Sequence, residues 1–419
     1  MATLMYAACD GGGLNTLAGA GGIVEIEVEP ELRMRYFEFP DGLGGSTHMV
    51  APTPDKRALV ASSANIGQVF VMPRKGDRYD LDSYRLINSF NTLGPPKLGT
   101  DAQTAMFDFL DNEHVACQYN RKLLRLNIET GEFTVLADIG EKFPDHADIL
   151  HQVSVTERFI VVDEVVKGGI FVFDRRTGAL DFMGDGFSGG HHLIHYDEAG
   201  DTIAIRPAFG FQSLDAHLKV DDNAMSFYNL DKKTVRTRCY SWEIPNHHPT
   251  DIHLESGFLY ISFAVPGSVA KIDVNSGRIV RRFDARPGLF TRYSSMALDS
   301  FYYLLDYGTM RNRHDTAEIT IPLFVHAVAL GRAAGTRAGF FAMGTLPGLD
   351  VLYVCHRGLN RIFCLRKSDL GLVWQRPLPS RKVYANSPMK GFLYRAFPYF
   401  NRCLGVHHGT LVDTGGSTA

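Results

Sequence analysis

Arg121-Lys-Leu-Leu-Arg-Leu-Asn-Ile-Glu-Thr-Gly-Glu-Phe-Thr-Val-Leu136 is two short apolar runs joined by a turn, Asn127-Ile-Glu-Thr-Gly131. The turn recurs as Asp174-Arg-Arg-Thr-Gly178 and Asp273-Val-Asn-Ser-Gly277, with weaker copies at Asp231-Lys-Lys-Thr234 and Lys367-Ser-Asp-Leu-Gly371. The Asp or Asn side chain can accept from backbone N–H groups two residues on, and Gly supplies a positive φ, so each copy predicts a hairpin. The runs around these turns are rich in Val, Ile, Phe and Tyr, as strands require. A further strand-like run lies upstream of the first three, at 115–119, 159–163 and 258–263. Four short strands per unit of about 40–50 residues is the pattern of a β-propeller blade.

Other stretches repeat the plan. Residues 46–90 hold four runs, and 190–240 hold a unit lengthened by a loop around 209–223. The N-terminus offers three strands, Leu4 to Ala8, Ile23 to Val28 and Leu32 to Phe39. Val406 to Asp413 can supply the fourth, closing the ring by sharing one blade between the two ends. Closure removes the unpaired edges of an open sheet. The fold expected is therefore all-β, a single propeller over residues 1–419. Seven blades are favoured, and eight are the alternative because Val351 to Val373 reads as three strands by itself. A helical or loop insertion is expected at about 307–339.

Composition sets the outer bounds. The 419 residues are 45% hydrophobic and 21% charged, which excludes wholesale disorder. A formal net charge of −3 argues against a nucleic-acid-binding field. The six Cys contain no CxxC pair and read as reduced thiols of a cytoplasmic protein. The most apolar stretch, 319–330, is too short for a membrane span but leaves a peripheral lipid contact open. No GxSxG, P-loop or HExxH motif occurs.

The sixteen His residues carry the functional signal. In a propeller the inner strands meet around one axis, so residues distant in sequence converge. Equating Leu59 with Ile203, an offset of 144, places His48 on His192. Equating Gly200 with Gly257 places His191 on His248. His151 and His408 also stand near the starts of inner strands, with His146 just before the first. Within the pairs 191/192, 247/248 and 407/408 only one member can face the axis. The candidate metal ligands are thus His48, His151, His192, His248 and His408. Their alternative reading is ordinary bonded core histidine. Imidazoles suit Fe, Zn or Cu, and a ligating ring needs an acceptor on its second nitrogen. Asp148, Asp163, Glu164, Asp197, Glu198 and Asp251 are candidates for that acceptor. His114 is expected on a surface hairpin.

Three stretches resemble the carotenoid cleavage oxygenases: Leu150-His-Gln-Val-Ser-Val-Thr156, Gly190-His-His-Leu-Ile-His-Tyr-Asp197 and Val406-His-His-Gly-Thr410. That family is a seven-bladed propeller with Fe(II) held by four His on its axis. The resemblance implies His151, His192 and His408 as ligands, with His48 the candidate for the fourth. It implies an oxygenase acting on an apolar alkene or aromatic small molecule. Beside it, the apolar stretch 319–330 with Phe187, Phe209 and Phe211 is the candidate for a substrate tunnel or lid, with core packing the commoner reading of such residues. The same ligands would serve a metal-assisted lyase, isomerase or hydrolase. A non-catalytic binding propeller is the third reading.

Overall fold

The computed structural model describes residues 3–9, 21–29, 32–40, 43, 47–63, 67–94, 106–147, 150–164, 167–187, 192–209, 223–239, 249–263, 267–285, 340–356, 359–379 and 406–413. They form seven antiparallel sheets in a ring, a seven-bladed β-propeller. Blade 1 joins the C-terminal Val406–Asp413 to Thr3–Cys9, Gly22–Glu29 and Arg33–Glu38. The ring is therefore closed by strand exchange, as the sequence predicts. Blade 2 runs from Thr47–Pro52 to Arg85–Ile87, with an extra short strand at Arg78–Tyr79. Blades 3 to 6 begin with inner strands Phe107–Phe109, Leu150–Val155, Ile194–Glu198 and Pro249–Glu255. Blade 7 consists of Phe340–Thr345, Leu352–His356, Arg361–Leu365 and Leu372–Pro377.

The eight-blade alternative is corrected by blade 7. Its last three strands are the run that read as a unit of its own, and Phe340–Thr345 completes them as the inner strand. The expected insertion at 307–339 lies outside the described residues.

The turn signature works as its chemistry requires. Asn127 Oδ1 accepts from the N–H groups of Glu129 and Thr130, both at 2.8 Å. Asp174 Oδ1 does the same for Arg176 (2.8 Å) and Thr177 (2.9 Å), and Asp273 for Ser276 (2.7 Å). Gly131, Gly178 and Gly277 adopt φ of 78°, 71° and 64°, where a Cβ would be strained. Each of these turns joins the third strand of a blade to its outer strand. The copy at 231–234 differs in detail. Asn229 Oδ1 accepts from Lys232, while Asp231 receives Arg158 and the N–H of Thr202 instead.

The apolar core is divided among seven clusters, one in each interface between neighbouring blades. Alternation explains how one strand serves two of them. In Thr3–Cys9, Met5, Ala7 and Cys9 pack against blade 7, while Leu4, Tyr6 and Ala8 pack against blade 2. The same parity corrects one sequence alignment. Leu59 packs toward the preceding blade and Ile203 toward the following one, so the offset of 144 is out of register by one residue. Among the described residues no helix is long and apolar enough to cross a membrane.

Candidate functional site

Among the described residues, five inner strands carry a β-bulge where they begin. In blade 2, Thr47 pairs with Ser63 and Met49 with Ser62, leaving His48 as the extra residue. In blade 4, His151 and Gln152 together oppose Asp163. In blade 1, residues 407 and 408 together oppose Ala8. Blades 6 and 7 repeat the device with Thr250 and Phe341 as the extra residues. A bulge breaks the two-residue alternation and re-aims a side chain that would otherwise point at a neighbouring blade. Here it turns imidazoles toward one another across the ring.

The rings of His48, His151 and His408, with that of His192, which stands two residues before the inner strand of blade 5, form a cycle from four blades. Ring centroids are 5.0 Å apart for His48 and His151, and 6.2 Å for His151 and His192. They are 4.9 Å apart for His192 and His408, and 5.3 Å for His408 and His48. All four are buried, with exposures of 9%, 7%, 2% and 3% for His48, His151, His192 and His408. His48 Nε2 lies 3.0 Å from His151 Nε2.

Backbone and carboxylate groups hold this arrangement. Asp251, on the inner strand of blade 6, reaches the closing strand. Its Oδ2 accepts from Met343 N at 2.8 Å and Gly409 N at 3.4 Å, and its Oδ1 lies 3.6 Å from His408 Nδ1. Gly409 has a packing reason to follow His408. A Cβ there would come within 2.8 Å of Met5 Cε and 3.2 Å of Ala342 Cβ. Asp163 Oδ1 accepts from Gln152 N at 2.5 Å, behind His151. Complete burial raises the Asp163 carboxyl to about 7, against the charge of Arg206. The Glu164 carboxylate is occupied with the N–H groups of Lys167 and Gly168.

Inner strands are also stitched to each other. Gln152 exchanges bonds with Leu193, donating to its carbonyl (2.9 Å) and accepting from its N–H (2.5 Å), directly after His192. Asp108 Oδ2 accepts from Val155 N at 2.7 Å, and Thr250 Oγ1 donates to Phe340 O at 2.5 Å. Burial lifts the Asp108 carboxyl to about 6.

Five other described histidines serve elsewhere. His114 is on a hairpin as expected, bonded to Asp111 at 2.9 Å. His146 stacks on Phe182. His195 Nδ1 pairs with Ser154 Oγ at 3.0 Å, and His253 Nε2 is 3.4 Å from Glu255. His356 Nδ1 accepts from Leu359 N at 3.1 Å, and burial lowers its pKa to about 3. Asp197 accepts from Thr202, and Glu198 closes its hairpin pair with Asp201. His191, His247, His248, Asp148 and Phe211 lie outside the described residues, so His248 stays an expectation. The apolar stretch 319–330 lies outside them too.

Arg206 escaped the sequence reading. It interrupts the apolar run Thr202-Ile-Ala-Ile205 and is fully buried. A cation in a run of that kind is the signal that would have found it.

No protein-family model and no curated protein matches the chain. Solved structures share its fold. A protein from Bacteroides fragilis, provisionally assigned as a 6-phosphogluconolactonase, aligns at 12% identity over 98% of both chains with a TM-score of 0.53. Apo AztD from Citrobacter koseri aligns at 9% identity over 98% of both chains, with a TM-score of 0.51. The dihydro-heme d1 dehydrogenase NirN aligns at 10% identity over 89% of this chain and 73% of its own, with a TM-score of 0.50. At such identities these likenesses carry the fold alone.

Proposed function

We propose that His48, His151, His192 and His408 hold one divalent metal ion on the propeller axis, Fe(II) in the first instance, with Zn or Cu as alternatives. The observation that carries this reading is the convergence of four buried imidazoles from four blades. The ring nitrogens His48 Nε2 and His151 Nε2 stand 3.0 Å apart, and both would serve as neutral imidazole donors to an ion between them. As the rings stand, no group of three or more His, Cys, Asp or Glu side chains among the described residues is set to hold an ion. Closing the site about an ion requires ring rotation, for which the outer torsion of histidine is broad. Asp251, beside His408 Nδ1, supplies the acceptor that orients a ligating ring.

The activity we assign is oxygenation of an apolar alkene or aromatic small molecule. Bound Fe(II) would supply electrons to dioxygen and open positions beyond its four nitrogens. The protein's part is to keep those positions open and dry. Thr250 and Phe341 occupy the bulges of blades 6 and 7 and bring no nitrogen to that side. Burial of all four rings excludes bulk water.

Elemental analysis of the chain purified without chelator tests the reading. About one equivalent of iron, lost when all four His are changed to Ala in a chain that keeps its β circular dichroism, is the expected result. Dioxygen uptake with apolar alkenes should follow. Turnover without dioxygen would transfer the site to a metal-assisted lyase, isomerase or hydrolase. A parent chain that neither contains nor takes up metal would leave a binding propeller.

A further inference from the structure

We propose that Arg206 is a positioning residue of the axial site, its guanidinium fixing Phe187, which stands five residues before His192, and the strand end behind His151. This inference rests on the metal-site reading. Arg206 lies on the second strand of blade 5, Asp201–Phe209, and faces blade 4. Both Arg206 and Asp185 have side-chain exposures of 0%. A buried cation is tolerated when it is paired and hydrogen-bonded; both terminal nitrogens of Arg206 are, while its Nε is buried without a hydrogen-bond partner among the described residues. Nη1 donates to Asp185 Oδ2 at 3.0 Å and to Phe187 O at 2.7 Å. Nη2 donates to Glu164 O at 2.7 Å. One planar fork thus joins the end of the second strand of blade 4 to Phe187, five residues before His192.

The surroundings are built around this clamp. Asp185 Oδ1 also accepts from Phe187 N at 2.9 Å, so both backbone polar groups of Phe187 are held. The Glu164 carboxylate accepts from Lys167 and from Gly168 N at 3.1 Å. Gly168 has φ +79°, and a Cβ there would come within 2.5 Å of Phe187 N. The turn and Phe187 are therefore in direct contact, with no space for adjustment. Next to Glu164, Asp163 accepts from Gln152 N beside His151. Displacing Glu164 would move Asp163, whose carboxylate holds Gln152 N beside His151. Buried ion pairs often add little net stability, so a clamp that served folding alone could be exchanged for apolar side chains without changing the site.

The test is anaerobic titration of the full chain with Co(II), read by visible absorption, for the parent, Arg206→Met, Arg206→Met/Asp185→Asn and Arg206→Lys. Arg158→Met is the control. Arg158 makes the exposed pair with Asp231 between the same two blades, Nη1 to Oδ1 at 2.5 Å. We expect circular dichroism to be retained in the double variant, which removes both buried charges. Its Co(II) affinity should fall by about 10–100-fold, as for other groups that orient ligands, with shifted absorption bands. Arg206→Lys keeps the charge but cannot span all three acceptors, and should fall between. Arg158→Met should match the parent. A folded double variant that binds Co(II) as tightly as the parent, with the same bands, overturns the proposal. So does loss of the fold in all three Arg206 variants, which would make the clamp structural. A parent chain that binds no Co(II) overturns the metal reading itself, and this inference with it.

Discussion

Blades 1, 2 and 4 and blades 6 and 7 use the same backbone device for different ends. All five begin their inner strand with a bulge. The first group places His408, His48 and His151 there, and the rings meet across the axis. The second places Thr250 and Phe341, and its polar groups are spent on joining blades 6 and 7, through Thr250 Oγ1 to Phe340 O and Ser262 Oγ to Phe341 O. The bulge is thus a property of the scaffold. The residue type at the bulge decides whether the bulge itself offers a donor nitrogen.

The sharpest way to break this comparison is to exchange the residue type while keeping the bulge. His408→Ala should abolish stoichiometric metal, whereas Thr250→Val and Phe341→Leu should leave it near the parent value by elemental analysis. Equal losses on both sides would erase the distinction. A smaller effect is expected one step out. Asp251→Asn should weaken metal binding by about 10–100-fold, because the acceptor beside His408 Nδ1 loses its charge.

Two buried groups of the scaffold, in blades 7 and 3, give opposite responses to pH. His356 in blade 7 is packed against Phe340 and Phe363, and its pKa falls from 6.5 to about 3. Between those values the unfolded chain binds the proton and the folded chain does not. The stability present above pH 6.5 is therefore lost as pH falls toward 3, with a slope approaching about 1.4 kcal/mol per pH unit. His356→Asn, which keeps an acceptor for Leu359 N, should flatten that part of a denaturation series. Asp108 works in the opposite sense. Its folded pKa is raised from 3.8 to about 6, so its contribution declines as pH rises across that range.

The smallest effects concern packing and turns. Gly409→Ala places a methyl against the flexible end of Met5 and the firmer Ala342, and should cost about 1–3 kcal/mol in chemical denaturation. Asn127→Ala removes the acceptor for two N–H groups in an exposed turn and should cost about 1 kcal/mol. A larger loss for the turn than for Gly409 would mean that the closing strand is less tightly set than its contacts indicate.

The turns were legible because their chemistry is local. An Asx side chain, two N–H groups and a glycine lie within five residues, so Asn127 to Gly131 signals a hairpin without its surroundings. The strand ends were legible for a similar reason, and the C-terminal run 406–413 took its place in blade 1. The bulges were not. Thr47-His48-Met49, Pro249-Thr250-Asp251 and Phe340-Phe341-Ala342 share no side-chain pattern. What they share is a slip in pairing with a strand several residues away. For the same reason the alignment of Leu59 with Ile203 missed the register by one. Arg206 was visible as an odd residue, but its acceptors come from the carbonyls and carboxylate of another blade.

The sequence by itself determined the repeat, the closure between the chain ends and a set of histidines near the inner-strand starts, because turn chemistry and strand alternation are written within a few neighbouring residues. Only the tertiary structure decided that His48, His151, His192 and His408 form one cycle. Their meeting depends on bulges, blade positions and buried clamps, which arise from pairing between segments far apart in the chain.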